Sequence, residues 1–94
     1  MEIVWRPSAI EHIEHARSYI AQFNPKATAR IFAAIRASVR SLANFPQRGR
    51  PGRVDGTREL VVPRTAYLVA YTVIDPEVVI LAVLHHAREW PTTF

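Results

Sequence analysis

The sequence predicts an α+β domain of order β-α-α-β-β-β, in which a small, mainly antiparallel sheet packs on an αα-hairpin. Three observations carry that prediction. Two stretches of helical apolar spacing meet at Asn24-Pro25, β-branched and tyrosine-rich runs follow at 66–74 and 78–84, and Asp75-Pro76-Glu77 separates those runs as a turn. The 94 residues suit one domain, 1–94, with a thin core.

The elements follow in order. Ile3-Val4-Trp5 is a short β-prone run ended by Arg6-Pro7. Ser8-Ala9-Ile10-Glu11 reads as a Ser-x-x-Glu capping box that opens the first helix. Ile10, Ile13, Ile20 and Phe23 then recur at helical spacing, with Ala16 in the gap. Asn24 and Pro25 stop that helix and start the next, as an N-cap followed by proline at the first helical position. The second helix is expected over residues 25–43, with Ile31, Ile35, Val39 and Leu42 on one side. Lys26, Arg30, Arg36 and Arg40 fall on the other side, where a solvated face is the simplest account.

Residues 44–56 are rich in proline, glycine and arginine and read as an exposed connector without regular structure. Its glycines lack the strand-glycine-helix setting of a phosphate-binding loop. A β region follows at 57–62, then a turn at Pro63-Arg64-Thr65 and the two long strands. Both strands are apolar on alternate and intervening positions, as expected of strands covered on two faces. One helical hairpin covers only one. The other is expected to be covered by the chain's own tail or by another protein.

Charge and composition narrow the function classes. Twelve Lys and Arg against eight Asp and Glu give +4, and Lys26 is the only lysine. Arginine forks suit carboxylates and phosphates, so an acidic partner is expected. The absence of cysteine excludes disulfides, thiolate zinc sites and a cysteine nucleophile. The chain opens on no basic-then-apolar leader, and its longest apolar run, 78–84, is too short to span a bilayer. A cytoplasmic location and no membrane contact are therefore expected.

Several residues invite a chemical reading. His12 and His15 sit three apart on a helix, a spacing that suits zinc but lacks a third ligand. His85 and His86 are adjacent, so on a strand they would point to opposite faces and share no ion. No metal or other cofactor is implied. Tyr67 and Tyr71 share a strand face, with core packing as the simplest role. Arg58 and Arg64 flank Glu59, which suggests an internal ion pair. Trp90, beside Pro91, suits packing across the sheet end or an interface anchor.

Taken with the connector Phe45-Pro46…Gly49-Arg50, three segments carry a resemblance to a known group: Arg-Glu-Leu-Val-Val-Pro at 58–63, Tyr-Leu-Val-Ala-Tyr-Thr-Val-Ile-Asp at 67–75 and Val-Leu-His-His-Ala-Arg-Glu-Trp-Pro at 83–91. The chain resembles the RelE/ParE superfamily, the toxins of type II toxin–antitoxin systems, from Ile3 to Pro91. RelE-like members are ribosome-dependent mRNA endoribonucleases, and ParE-like members inhibit DNA gyrase. The resemblance to the ribonucleases implies a phosphate-contacting arginine where Leu68 stands, lysines at the positions of Glu59 and Val61, and a tyrosine near Phe94. Only Arg88 matches a family arginine, and His86 falls near a histidine used by some members. Cleavage at a 2′-hydroxyl needs a base, a proton donor and cations on the developing charge, and this apparatus is missing from its usual place.

The resemblance therefore implies a ParE-like toxin that inhibits gyrase by binding, with no catalytic residues of its own. A ParD-like antitoxin with a disordered acidic arm is implied as partner, and the pair would bind operator DNA through the antitoxin. Arg58, Arg64, Tyr67, His85, Arg88 and Trp90 are the expected antitoxin- or target-binding residues. The alternative is a RelE-like ribonuclease with His86 as base, Arg88 as phosphate clamp, and Tyr71 or Glu59 assisting.

Overall fold

The computed structural model describes residues 1–87. Strand β1 (Glu2–Trp5) leads into helices α1 (Pro7–Phe23) and α2 (Pro25–Ser41). Strands β2 (Arg50–Pro51), β3 (Arg58–Val61), β4 (Tyr67–Ile74) and β5 (Glu77–His85) follow. They form one sheet in the order β1-β5-β4-β3-β2, in which only β1 runs parallel to its neighbour, β5. The α+β class and the helical hairpin agree with the sequence reading. The connector does not: it contributes β2, whose two residues pair with Arg58 and Glu59.

The junction of the helices is locally encoded. Asn24 Oδ1 accepts from the Ala27 N–H at 3.2 Å, and Pro25 occupies the first helical position. The start of α1 is not the expected capping box. Arg6 takes the N-cap place in an extended conformation, its carbonyl accepts from Ala9 and Ile10, and Pro7 presets the first helical turn. Ser8 is left free to donate its hydroxyl to the Leu81 carbonyl at 3.0 Å.

That bond belongs to a larger substitution. Where β1 ends, α1 takes over the exposed edge of β5: the Arg6 N–H donates to Ile80 O, Ser8 to Leu81 O, and the Val83 N–H donates to His12 Nδ1 at 3.3 Å. Ala9 and Ala16 are buried at this contact, and their small side chains let the helix approach the strand. This shifts the buried stripe from its expected centre. Ile13 and Ile20 pack on the core, but Ile10 is 46% and Phe23 71% exposed. Phe32, Ile35, Val39 and Leu42 of the α2 side complete the layer above Leu60, Tyr67, Val69, Tyr71, Val78, Ile80 and Val83.

The face turned from the helices is covered at its centre but open at its margins, where Val61 and Ile74 are 51% and 57% exposed. Leu68, Ala70, Val79 and Ala82, which alternate with the helix-facing residues, are all buried within the chain. The 52–57 loop is tied to the neighbouring residues of that face: Thr72 Oγ1 donates to Gly56 O at 2.9 Å, and the Arg53 N–H donates to Glu59 at 2.7 Å.

Candidate functional site

The residues singled out in the sequence divide into two clusters. The first surrounds the 46–58 loop. Tyr71, on the helix-facing side of β4, accepts from the Gly49 N–H and donates to the Pro46 carbonyl, both at 2.8 Å. A side chain at Gly49 would not fit, because its Cβ would lie 2.6 Å from the Tyr71 hydroxyl. Burial pushes the Tyr71 hydroxyl above the ordinary phenol range, against the opposing pull of the Gly49 N–H and the Arg58 charge. It keeps its proton.

Glu59 points to the other face, with its side chain only 1% exposed. Arg50 lies directly across the β2–β3 ladder and reaches one carboxylate oxygen at 3.3 Å, while the Arg53 backbone and side chain take the other at 2.7 and 3.6 Å. The expected pairing of Glu59 with Arg58 and Arg64 is not made. Neighbours on a strand face opposite ways, so Arg58 turns from Glu59 and donates instead to Gly49 O at 2.6 Å and Gln47 O at 3.4 Å. Arg64 stands in the β3–β4 turn with φ 59°, and its carbonyl accepts from Arg30 at 3.2 Å.

The second cluster lies at the end of the sheet near that turn. Tyr67 is buried and meets His85 edge to face at 5.5 Å across the β4–β5 ladder. His85 and His86 do not point to opposite faces. The strand ends at His85, the chain turns, and the two rings stack with centroids 5.0 Å apart. The His86 N–H donates to Ala66 O, and its Nδ1 lies 3.1 Å from the same carbonyl. His12, His15, Tyr67 and His85 border a cleft of about 200 Å³. Among the described residues no group of three His, Cys, Asp or Glu is placed to hold a metal ion. Burial pushes His12 below its ordinary value, with His15 adding to this and Glu11 opposing it.

Arg88 and Trp90 lie outside the described residues. The other three residues of the ribonuclease alternative do not converge. Tyr71 and Glu59 occupy opposite faces and are committed to the loop. His86 binds at Ala66, five residues along the strand from Tyr71, or about 17 Å away. Position 68, where the ribonuclease pattern has an arginine, holds a leucine only 3% exposed on the face turned from the helices. The Glu59 ladder pair and the His12 bond were missed in the sequence, where the only available signals were Gly49 and the Arg50-x-x-Arg53 spacing.

A helical hairpin on a five-stranded sheet of this order is the fold of small type II toxins. A solved structure titled "Chromosomal ParDE TA system from P. aeruginosa" superposes with a TM-score of 0.79 at 22% identity, covering 88% of this chain and 92% of that one. A family model described as the ParE toxin of the type II toxin–antitoxin system parDE matches residues 3–90, and the chain belongs to that family. Among curated relatives, the Y4kP protein of Sinorhizobium fredii, named as a candidate toxin, is 39% identical over 95% of this chain and 92% of its own. Toxin RelE2 of Caulobacter vibrioides is 34% identical over 93% of this chain and 97% of its own.

Proposed function

We propose that this type II toxin acts by binding DNA gyrase and is neutralised by a ParD-like antitoxin, through which the pair binds operator DNA. Family membership across nearly the whole chain supports the toxin and its antitoxin partner. The observation that carries the choice of target is the buried Leu68 in place of a phosphate-clamping cation, beside ribonuclease candidates that do not converge on one site. Losing one such cation costs a few kcal/mol of transition-state stabilisation, on the order of 100-fold in rate or more. The exposed cations Lys26, Arg36, Arg40 and Arg48 supply an attractive field for an acidic antitoxin arm. Arg58, Arg64 and His85 are the accessible members of the expected binding set, with Arg88 and Trp90 completing it in this reading.

A supercoiling assay with purified toxin tests the target. Inhibition by excess toxin, relieved by the co-purified antitoxin, is expected; unimpaired supercoiling rejects gyrase. The relative named RelE2 favours a second reading, the ribosome-dependent ribonuclease. Toxin-dependent cleavage of mRNA on ribosomes, abolished in Arg88→Ala, would establish it instead.

A further inference from the structure

We propose that Arg58, with Gln47, Thr57 and Thr72 around it, forms a binding site for a carboxylate side chain of an acidic partner segment. The site lies where β4 runs past the start of β3. The β3–β4 register begins at Arg58 and Tyr71, so Thr72 and Val73 have no strand partner on that side. A cleft of about 350 Å³ opens there, lined by Gln47, Pro51, Thr57, Arg58, Thr72 and Val73.

Arg58 brings an uncompensated charge to this cleft. Its Nη1 donates to Gly49 O and Gln47 O, which are neutral acceptors. Among the described residues no carboxylate pairs with it, and Nε and Nη2 have no partner. The adjacent carboxylate, Glu59, is on the opposite face with both oxygens taken by Arg50 and Arg53. A half-buried guanidinium with open donors attracts an oxyanion more strongly than an exposed one, since less solvent screens it.

The cleft walls select the class of oxyanion. Pro51 and Val73 offer apolar surface to the methylene groups of Asp or Glu, and the fork of Arg58 matches a carboxylate. Arg48, exposed on the same loop, adds to the positive field, which suits a segment carrying several acidic residues. That this segment belongs to the antitoxin rests on the toxin reading above; the site itself does not.

The test is an NMR titration of the intact chain, following the arginine Nε–Hε resonances, with sodium glutarate, inorganic phosphate and a short oligothymidine as separate probes. Glutarate is expected to shift the Arg58 signal saturably, with Arg48 drifting without saturation. Gln47→Glu, which places a carboxylate in the cleft without altering Arg58, is expected to weaken glutarate binding about tenfold or more by occupying the guanidinium. An Arg58 signal that never saturates overturns the site, as does unchanged affinity in Gln47→Glu. Tighter saturation by phosphate or oligothymidine overturns the choice of carboxylate. None of these readings involves gyrase, so they stand or fall separately from the proposed target.

Discussion

Tyr71, Gly49 and Glu59 show how single residues turn an arginine-rich connector into ordered structure. The loop has almost no apolar side chains to bury, so its order depends on satisfied polar groups. Tyr71→Phe removes one donor and one acceptor and leaves the Gly49 N–H and Pro46 carbonyl unpaired; a loss of about 1–3 kcal/mol in urea unfolding is expected. Gly49→Ala drives a methyl group into the Tyr71 ring, whose Cε1 would lie 2.7 Å away, and should cost about 1–3 kcal/mol by the same measurement. If both substitutions left the midpoint unchanged, the loop would not be held in this way. A general-base role for Tyr71 is disfavoured by the same geometry, because its proton is held by burial and directed at Pro46.

At the scale of elements, the docking of α1 on β5 rests on a histidine that must be neutral to accept from Val83. Burial lowers the His12 pKa in the fold, so the unfolded chain takes up the proton more readily. The contribution is present above the unfolded value of about 6.5 and is lost as pH falls through the lower folded value. Thermal midpoints should therefore fall more steeply below that pH in the wild type than in His12→Gln. Equal slopes would show that His12 does not couple α1 to the strand. This contact also explains what could be read from sequence. Asn24-Pro25 acts within four residues, so the hairpin junction was legible. Ser8 and His12 act on a strand some seventy residues away, and no local pattern announces that partner. For Ser8, the competing capping reading was locally sound but lost to Leu81 O.

For the whole molecule, the sheet is buried on both faces at its centre, so a partner meets surface charge together with separate exposed apolar side chains such as Phe23, Phe45, Val61 and Ile74. A platform of bare apolar strands would bind by burying area. This chain instead offers arginines on α2 and on the 46–58 loop, and its association should be strongly salt-dependent. Expression of the chain alone is expected to arrest growth, with rescue by the protein of the adjacent reading frame; normal growth would mark it as an inactive member of its family. No helix among the described residues is long and apolar enough to cross a membrane.

The amino-acid order alone determined the class of fold, the helix–helix junction, the two long strands and the family. Those depend on periodicity and on neighbours within a turn or a hairpin. Only the tertiary structure decided which stripe of α1 is buried, which arginines Glu59 neutralises and that His85 and His86 stack. It also decided that the second sheet face is buried at its centre, around Leu68, Ala70, Val79 and Ala82. Each of these depends on which distant backbone or side chain arrives opposite a residue, and that is set by strand register and the close approach of helix to sheet.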